Sequence, residues 1–173
     1  MTDSPSPRQH ETPLEAFRGY LLVMARLRLD GWLRGKVAAS DIVQQTLLRA
    51  HVALPSLRDH SPVVLRAWLR EILGHELADA AKHFQRDKRD AARERSLAQD
   101  LDRSAHALEE FLIAEQPSPS HIAIQEEELL GLADALGQLP DDQRTAILWK
   151  HIENRPLREI ADSPLYRAYG DGT

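Results

Sequence analysis

The segment RAWLREILGHELADAAKHFQRDKRDAARER, from Arg66 to Arg95, is predicted to form one long helix with two chemically different faces. At about 100° of rotation per residue, apolar side chains fall in one wide arc. This arc comprises Leu65, Leu69, Ile72, Leu73, Leu77, Ala80 and Phe84. The other side carries a narrow strip of Trp68, His75, Lys82, Arg86, Arg89 and Arg93. A cationic strip headed by an exposed indole is typical of a surface that follows a phosphate backbone and stacks an unpaired base. The alternative is an ordinary solvated polar face.

The composition indicates a soluble globular chain of one ordinary domain or two small ones. Of its 173 residues 42% are hydrophobic, and no apolar run is long enough to cross a bilayer. The beginning, MTDSPSPRQHETP, lacks the pattern of an export signal, so a cytoplasmic location is expected and no membrane partner. The absence of cysteine excludes disulfides and thiolate metal sites.

The net charge of −5 conceals a gradient along the chain. Up to Arg95 there are 16 basic and 12 acidic residues, whereas from Glu109 onward there are 5 and 13. The front half is therefore expected to meet an anionic partner, and the rear half is expected not to do so strongly.

The front half contains two further predicted helices. Residues 1–11 are rich in Ser and Pro and are expected to be disordered. Thr12-Pro13-Leu14-Glu15 has the pattern of a capping box, which starts a helix that continues to about Leu29. Ser40 is the expected N-cap of the next helix, with Asp41 at the positive end of its dipole.

The helix after Ser40 is predicted to have two faces. Its inner face is apolar and consists of Val43, Leu47, Ala50 and Leu54. Its second face places two aliphatic residues among polar ones and consists of Asp41, Gln44, Gln45, Leu48 and Val52. An apolar patch with a polar rim is a common binding surface for a partner helix. Periodicity alone equally allows that Leu48 and Val52 merely widen the core face.

An all-α architecture with two units follows from these patterns. Pro55 ends the second helix, Ser61-Pro62 starts the third, and residues 12–95 are expected to pack as one helical bundle. Residues 96–120 are predicted to be a linker, and residues 121–173 a small second helical unit. The helix faces of that unit include Ile124, Leu129, Leu132, Ala133 and Leu136, then Ala146, Ile147 and Ile152, followed by a turn at Asn154-Arg155-Pro156 and a short helix, LREIAD.

No motif of covalent chemistry emerges, so the chain is expected not to be an enzyme and to need no cofactor. His75-Glu76-Leu77-Ala78-Asp79 lacks the second imidazole of the zinc-hydrolase pattern, so no metal site is predicted. No Gly-rich phosphate loop, nucleophile elbow or dinucleotide fingerprint is present. The acidic runs Glu126-Glu127-Glu128 and Asp141-Asp142 are expected to be solvated near helix starts.

Three motifs, in this order, resemble those of a bacterial sigma factor of the sigma-70 class, extracytoplasmic-function group. They are SDIVQQTLLRA (40–50), AWLREIL (67–73) with Ala78-Asp79 and the basic run to Arg89, and LPDDQR (139–144) with LREIA (157–161). The resemblance covers about residues 12–162. It implies a front unit like sigma region 2 and a rear unit like sigma region 4.

The resemblance implies two binding surfaces and no catalysis. The first motif helix of the family docks on the clamp helices of the largest subunit of core RNA polymerase, which places the contact on Asp41, Gln44, Gln45 and Leu48. The next helix of the family and its preceding loop open and read the minus-ten element of promoter DNA as a single strand. By position, this role falls on Trp68, His75, Asp79, Lys82, His83, Arg86 and Arg89. His75 departs from the asparagine that is usual in the family. The resemblance leaves open an anti-sigma factor as a further partner.

The rear unit resembles an incomplete helix-turn-helix. A recognition helix is required after the helix that LREIA begins, but only eleven residues follow Asp162 and they include Pro164, Gly170 and Gly172. That helix is expected to be missing, and the rear unit is not expected to bind duplex DNA by itself. The function expected is transcription initiation by promoter recognition and opening. Two alternatives stay open: a truncated sigma-like protein that binds polymerase without supporting initiation, and a helical protein-interaction module that binds no nucleic acid.

Overall fold

The computed structural model describes residues 13–29, 36–84, 91–113 and 122–163, with the backbone alone at 84, 91–95, 112, 113, 122 and 123. Within these ranges the chain is helical and has no strand, which confirms the predicted all-α class. The described helices are α1 (Arg18–Arg28), α2 (Ala39–Ala53), α3 (Pro62–Phe84), α4 (Ala91–Ile113), α5 (Ile122–Gln138), α6 (Asp141–Ile147) and α7 (Leu157–Ala161). Short 3-10 turns at Leu14–Phe17 and Leu54–Ser56 adjoin α1 and α2, and a π-helical turn at Leu148–Ile152 extends α6. No described helix combines the length and the apolar content needed to cross a bilayer.

The central element is α3, which packs against both α2 and α4. Its predicted apolar arc is confirmed as far as side chains are described: Leu65, Leu69, Leu73 and Leu77 are buried. The side chain of Phe84, the last predicted member, lies outside the described part. Ile72 and Ala80 are half-buried at its edges. The predicted start at Pro62 is also confirmed. The predicted single helix from Arg66 to Arg95 is described as far as Phe84 and again from Ala91, while residues 85–90 lie outside the described part of the chain.

The beginnings of the first two helices differ from the predicted caps. α2 begins at Ala39 with Ala38 as its N-cap and without a side-chain cap hydrogen bond, so the prediction that Ser40 is the N-cap is wrong. Glu15, in the 3-10 turn before α1, accepts hydrogen bonds from Arg18, the first residue of α1. Its carboxylate is therefore paired with a side chain three residues later. Thr12, the other predicted member of the capping box, lies outside the described residues.

Most of the predicted linker, residues 96–120, is helical. α4 extends through Ile113, and Leu101, Ala105 and Leu108 from this segment are fully or almost fully buried in the core. Their spacing of three and four residues is helical. The pattern was missed because Ser104 and Ala105, which are small or polar, occupy positions on the buried face. Residues 114–120 lie outside the described part.

The rear segment from α5 to the π-helical turn after α6 shares one continuous core with the front helices. α5 packs against α1, and a Cβ added at Gly19 would overlap the Asp134 carboxylate, so a larger residue there would require the exposed Asp134 side chain to move aside. Leu129, Ala133 and Leu136 are buried as predicted. Ile124, however, is exposed.

The last two helices begin where the sequence predicts. α6 begins at Asp141, directly after Pro140, and α7 coincides with LREIA. Asn154 has a positive φ of 52°, which confirms the predicted turn before α7.

Candidate protein and nucleic-acid interface

The outer face of α2 combines exposed aliphatic and neutral polar side chains. Leu48 is 58% and Val52 75% exposed. Asp41, Gln44 and Gln45 are also exposed, in the helical spacing that places all five on one side. The opposite side is buried in the core through Ile42, Val43, Thr46, Leu47 and Ala50. The interpretation that Leu48 and Val52 widen the core face is therefore wrong.

The chemistry of this α2 face suits a helical partner. Leu48 and Val52 offer apolar area, while the amides of Gln44 and Gln45 can donate and accept hydrogen bonds at its rim. The helix that carries them is anchored by the core residues Val43, Leu47 and Ala50. The buried hydroxyl of Thr46 is satisfied within α2 by a hydrogen bond of 2.8 Å that it donates to the carbonyl of Ile42. A rigid, amphipathic face of this kind can bind a partner without rearranging.

The outer face of α3 places several predicted DNA-binding side chains together. His75, Asp79, Lys82 and His83 are exposed, and their spacing puts them on one side over about two turns. Arg86 and Arg89 lie outside the described residues, and the side chain of Arg93 is not described. Histidine and lysine side chains in this arrangement can donate hydrogen bonds to phosphate oxygens or to base edges.

Trp68 differs from the other residues of the predicted strip. Its indole is half-buried and packs against the hydrophobic core, so the expected freely exposed ring is not observed. A partly covered indole fixes the start of α3 against the bundle. Trp68 is not fully buried, and its contact with a base stays a prediction.

Arg49 of α2 forms ion pairs with α3 and so connects the two helices. The sequence patterns did not identify this residue. Its Nε lies 2.7 Å from Oε1 of Glu76, and one of its terminal nitrogens lies 3.6 Å from Oδ2 of Asp79. Glu76 is buried, with a side chain only 10% exposed, whereas the side chains of Arg49 and Asp79 are more than half exposed. Since the partners lie 27 and 30 residues away along the chain, periodicity gave no sign of this contact between α2 and α3.

A buried ionic cluster ties α3 to α4 and α5. Nε of Arg66 donates a hydrogen bond of 2.8 Å to Glu126, and its NH1 contacts Glu109. Burial favours a lower pKa for Arg66, but the two carboxylates outweigh it and raise the pKa above its ordinary value. Glu126 is itself 6% exposed, so the prediction that it is solvated is wrong.

Comparison with known proteins yields one informative relative. The chain is 29% identical over 129 residues to a protein called probable RNA polymerase sigma factor RfaY, from Xanthomonas campestris pv. campestris. The match covers 74% of this chain and 29% of the relative, so the chain spans less than a third of the curated relative it matches. No family model and no solved structure matches the chain. The relative supports the resemblance to RNA polymerase sigma factors, while the extracytoplasmic-function group stays a prediction.

Proposed function

We propose that this chain acts as an RNA polymerase sigma factor that binds core polymerase through the outer face of α2 and the promoter minus-ten element through the outer face of α3. The observation that carries the proposal is the exposure of Leu48 and Val52 on a helix whose other side is buried. A soluble protein gains nothing for its own fold by exposing such residues on a rigid helix, so the pattern favours a partner.

The position of the candidate DNA surface supports the same function. α2 and α3 are neighbours in the fold, so a polymerase that binds α2 would have the exposed side chains of α3 close by. Those side chains carry the predicted DNA contacts His75, Asp79, Lys82 and His83. Arg86 and Arg89, which follow in the sequence, would add sequence-independent phosphate affinity.

The similarity to the probable sigma factor supports this assignment because the match covers most of this chain. Such a protein works by binding energy: it holds unpaired bases on the promoter after strand opening. We propose the largest subunit of core polymerase as the protein partner, promoter DNA as the nucleic acid and the bacterial cytoplasm as the site of action.

The first experiment changes the α2 face. The double variant Leu48→Asp, Gln45→Ala should weaken association with core polymerase at least about thirtyfold, or roughly 2 kcal/mol, because it puts a charge at the centre of an apolar contact. Affinity is measured with the full chain and purified core enzyme, and the fold is checked by circular dichroism. Leu157→Asp is the matched control, because Leu157 is 66% exposed on α7 and is not part of the α2 face.

The outcomes separate the proposal from its alternatives. Unimpaired core binding by the folded double variant would refute the α2 assignment. Core binding without a run-off transcript from a promoter library would favour a sigma-like protein that does not support initiation. If neither core enzyme nor DNA binds, the chain would be a helical interaction module with another partner.

A further inference from the structure

Arg49 is the only described side chain of α2 that forms an ion pair with α3 in the structure. It contacts two carboxylates one turn apart on α3, the buried Glu76 at 2.7 Å and the exposed Asp79 at 3.6 Å. A buried carboxylate needs a close counter-charge, and Arg49 supplies one to Glu76. Oε1 of Glu76 forms no hydrogen bond, so charge attraction alone holds the guanidinium in place. The contact with Asp79 is solvent-exposed and screened, and it would be weak without this anchor.

The charges around Arg49 bear on DNA binding. Asp79 lies on the outer face of α3 together with Lys82, and an uncompensated carboxylate there would repel phosphates. The formal charges of Arg49, Lys82, Glu76 and Asp79 sum to zero, and without Arg49 they would sum to −1.

We propose that Arg49 is a positioning residue that links the polymerase-binding helix to the DNA-binding helix: Glu76 holds its guanidinium, and the guanidinium neutralises and orients Asp79 beside the promoter DNA. This inference rests on the proposed function and assigns different roles to the two carboxylates. Glu76 stabilises the position of Arg49 in the fold, and Asp79 takes part in DNA binding.

The test compares full-length Arg49→Gln with the unchanged chain in two measurements. Affinity for core polymerase should stay within about twofold, whereas affinity of the holoenzyme for forked minus-ten DNA should fall about fivefold, equivalent to roughly 1 kcal/mol. Arg103→Gln is the matched control. The side chain of Arg103 is 76% exposed and pairs with Asp100 on α4, so its loss removes one positive charge elsewhere.

Two further variants separate the roles of the carboxylates. Arg49→Gln leaves Glu76 buried without its counter-charge and should lower the unfolding midpoint, and adding Glu76→Gln should restore it. DNA affinity should stay low in that double variant, because Asp79 still lacks Arg49. In an Asp79→Asn background, replacing Arg49 should change DNA affinity less than about twofold, since coupled residues lose their interaction together.

Three results would overturn the inference. One is normal DNA affinity in the stable Arg49→Gln, Glu76→Gln variant. Another is an equal effect of Arg49→Gln with and without Asp79. The third is a loss of core binding on Arg49→Gln, which would make Arg49 a polymerase contact. Failure of the unchanged chain to bind core enzyme or forked DNA would instead refute the proposed function, and the inference with it.

Discussion

Tyr20 shows how a single residue connects the core to the charged clusters. Its side chain is fully buried. Its hydroxyl accepts a hydrogen bond of 3.1 Å from Arg70, and the guanidinium of Arg66 lies 5.8 Å from its ring centre. Burial raises the pKa of the phenol, and the two arginines offset only part of that effect.

This raised pKa predicts a loss of stability at alkaline pH. Above about pH 10 the unfolded chain releases the phenol proton while the folded chain keeps it, so unfolding is favoured by up to about 1.4 kcal/mol per pH unit. Below that pH the contribution is fully present. Tyr20→Phe should remove this part of the pH dependence, although it should also lower stability at neutral pH by loss of the hydrogen bond from Arg70.

The measurement is the urea midpoint at about pH 8 and about pH 10.5 for both chains. Lysines and other tyrosines also titrate in this range, so the relevant quantity is the difference between the two chains. An equal alkaline loss in both would show that Tyr20 does not titrate as its burial implies.

At the scale of elements, the sequence predicted several features that depend on local spacing, namely the buried leucines of α3 and the turn before α7. For α2 the spacing left two interpretations open, and the exposure of Leu48 and Val52 decides between them. The contacts between elements could not be predicted. Glu126 has the local signature of a solvated carboxylate, and only the fold brings Arg66, sixty residues away, within 2.8 Å of it. The contact between Arg49 and Glu76 could not be predicted for the same reason.

The cationic side of α3 is expected to determine the salt dependence of promoter binding. Replacing Lys82, Arg86 and Arg89 with alanine should lower the slope of log affinity against log salt by about 0.7 for each lost contact with single-stranded DNA, or about 0.9 for duplex DNA. The measurement uses forked promoter DNA bound to the holoenzyme over a range of salt concentrations. Of these residues the structure describes Lys82, which is exposed.

A triple alanine variant of Arg58, Arg103 and Arg158 is the matched control for this slope. These arginines are exposed on a loop, on α4 and on α7. Replacing them therefore removes the same number of positive charges from other surfaces. Equal slopes for the two triple variants would show that the α3 strip makes no special phosphate contacts. The effect would then be one of net charge alone.

At the scale of the molecule, helices from the front and the rear of the chain share one hydrophobic core. The core runs without interruption from α1 to the π-helical turn after α6, and Leu129 and Leu148 of the rear segment belong to it. An ionic contact also joins the front to the rear segment, because Arg28 of α1 lies 3.5 Å from Glu153, and Arg28 lies 3.9 Å from Asp100 of α4 as well. The division into a front and a rear unit, which the sequence suggests, is therefore not accompanied by separate cores.

A single core predicts that the front and rear helices unfold together. Arg66→Met removes the positive charge that compensates the buried carboxylate of Glu126. The substitution should destabilise the whole chain by about 3–5 kcal/mol. Adding Glu126→Gln should recover most of this loss, because it removes the uncompensated charge. Arg103→Met, at an exposed ion pair, should cost less than about 1 kcal/mol.

The measurement is urea unfolding followed both by circular dichroism and by amide hydrogen exchange, which reports α1 and α5 separately. Coincident transitions that shift together in Arg66→Met are expected, since helices that share a core lose it in one step. If α5 instead loses protection at lower urea than α1, and Arg66→Met shifts only that first step, the rear helices would be a separately unfolding layer. The ion pair between Arg66 and Glu126 would then stabilise the contact between two separately unfolding units.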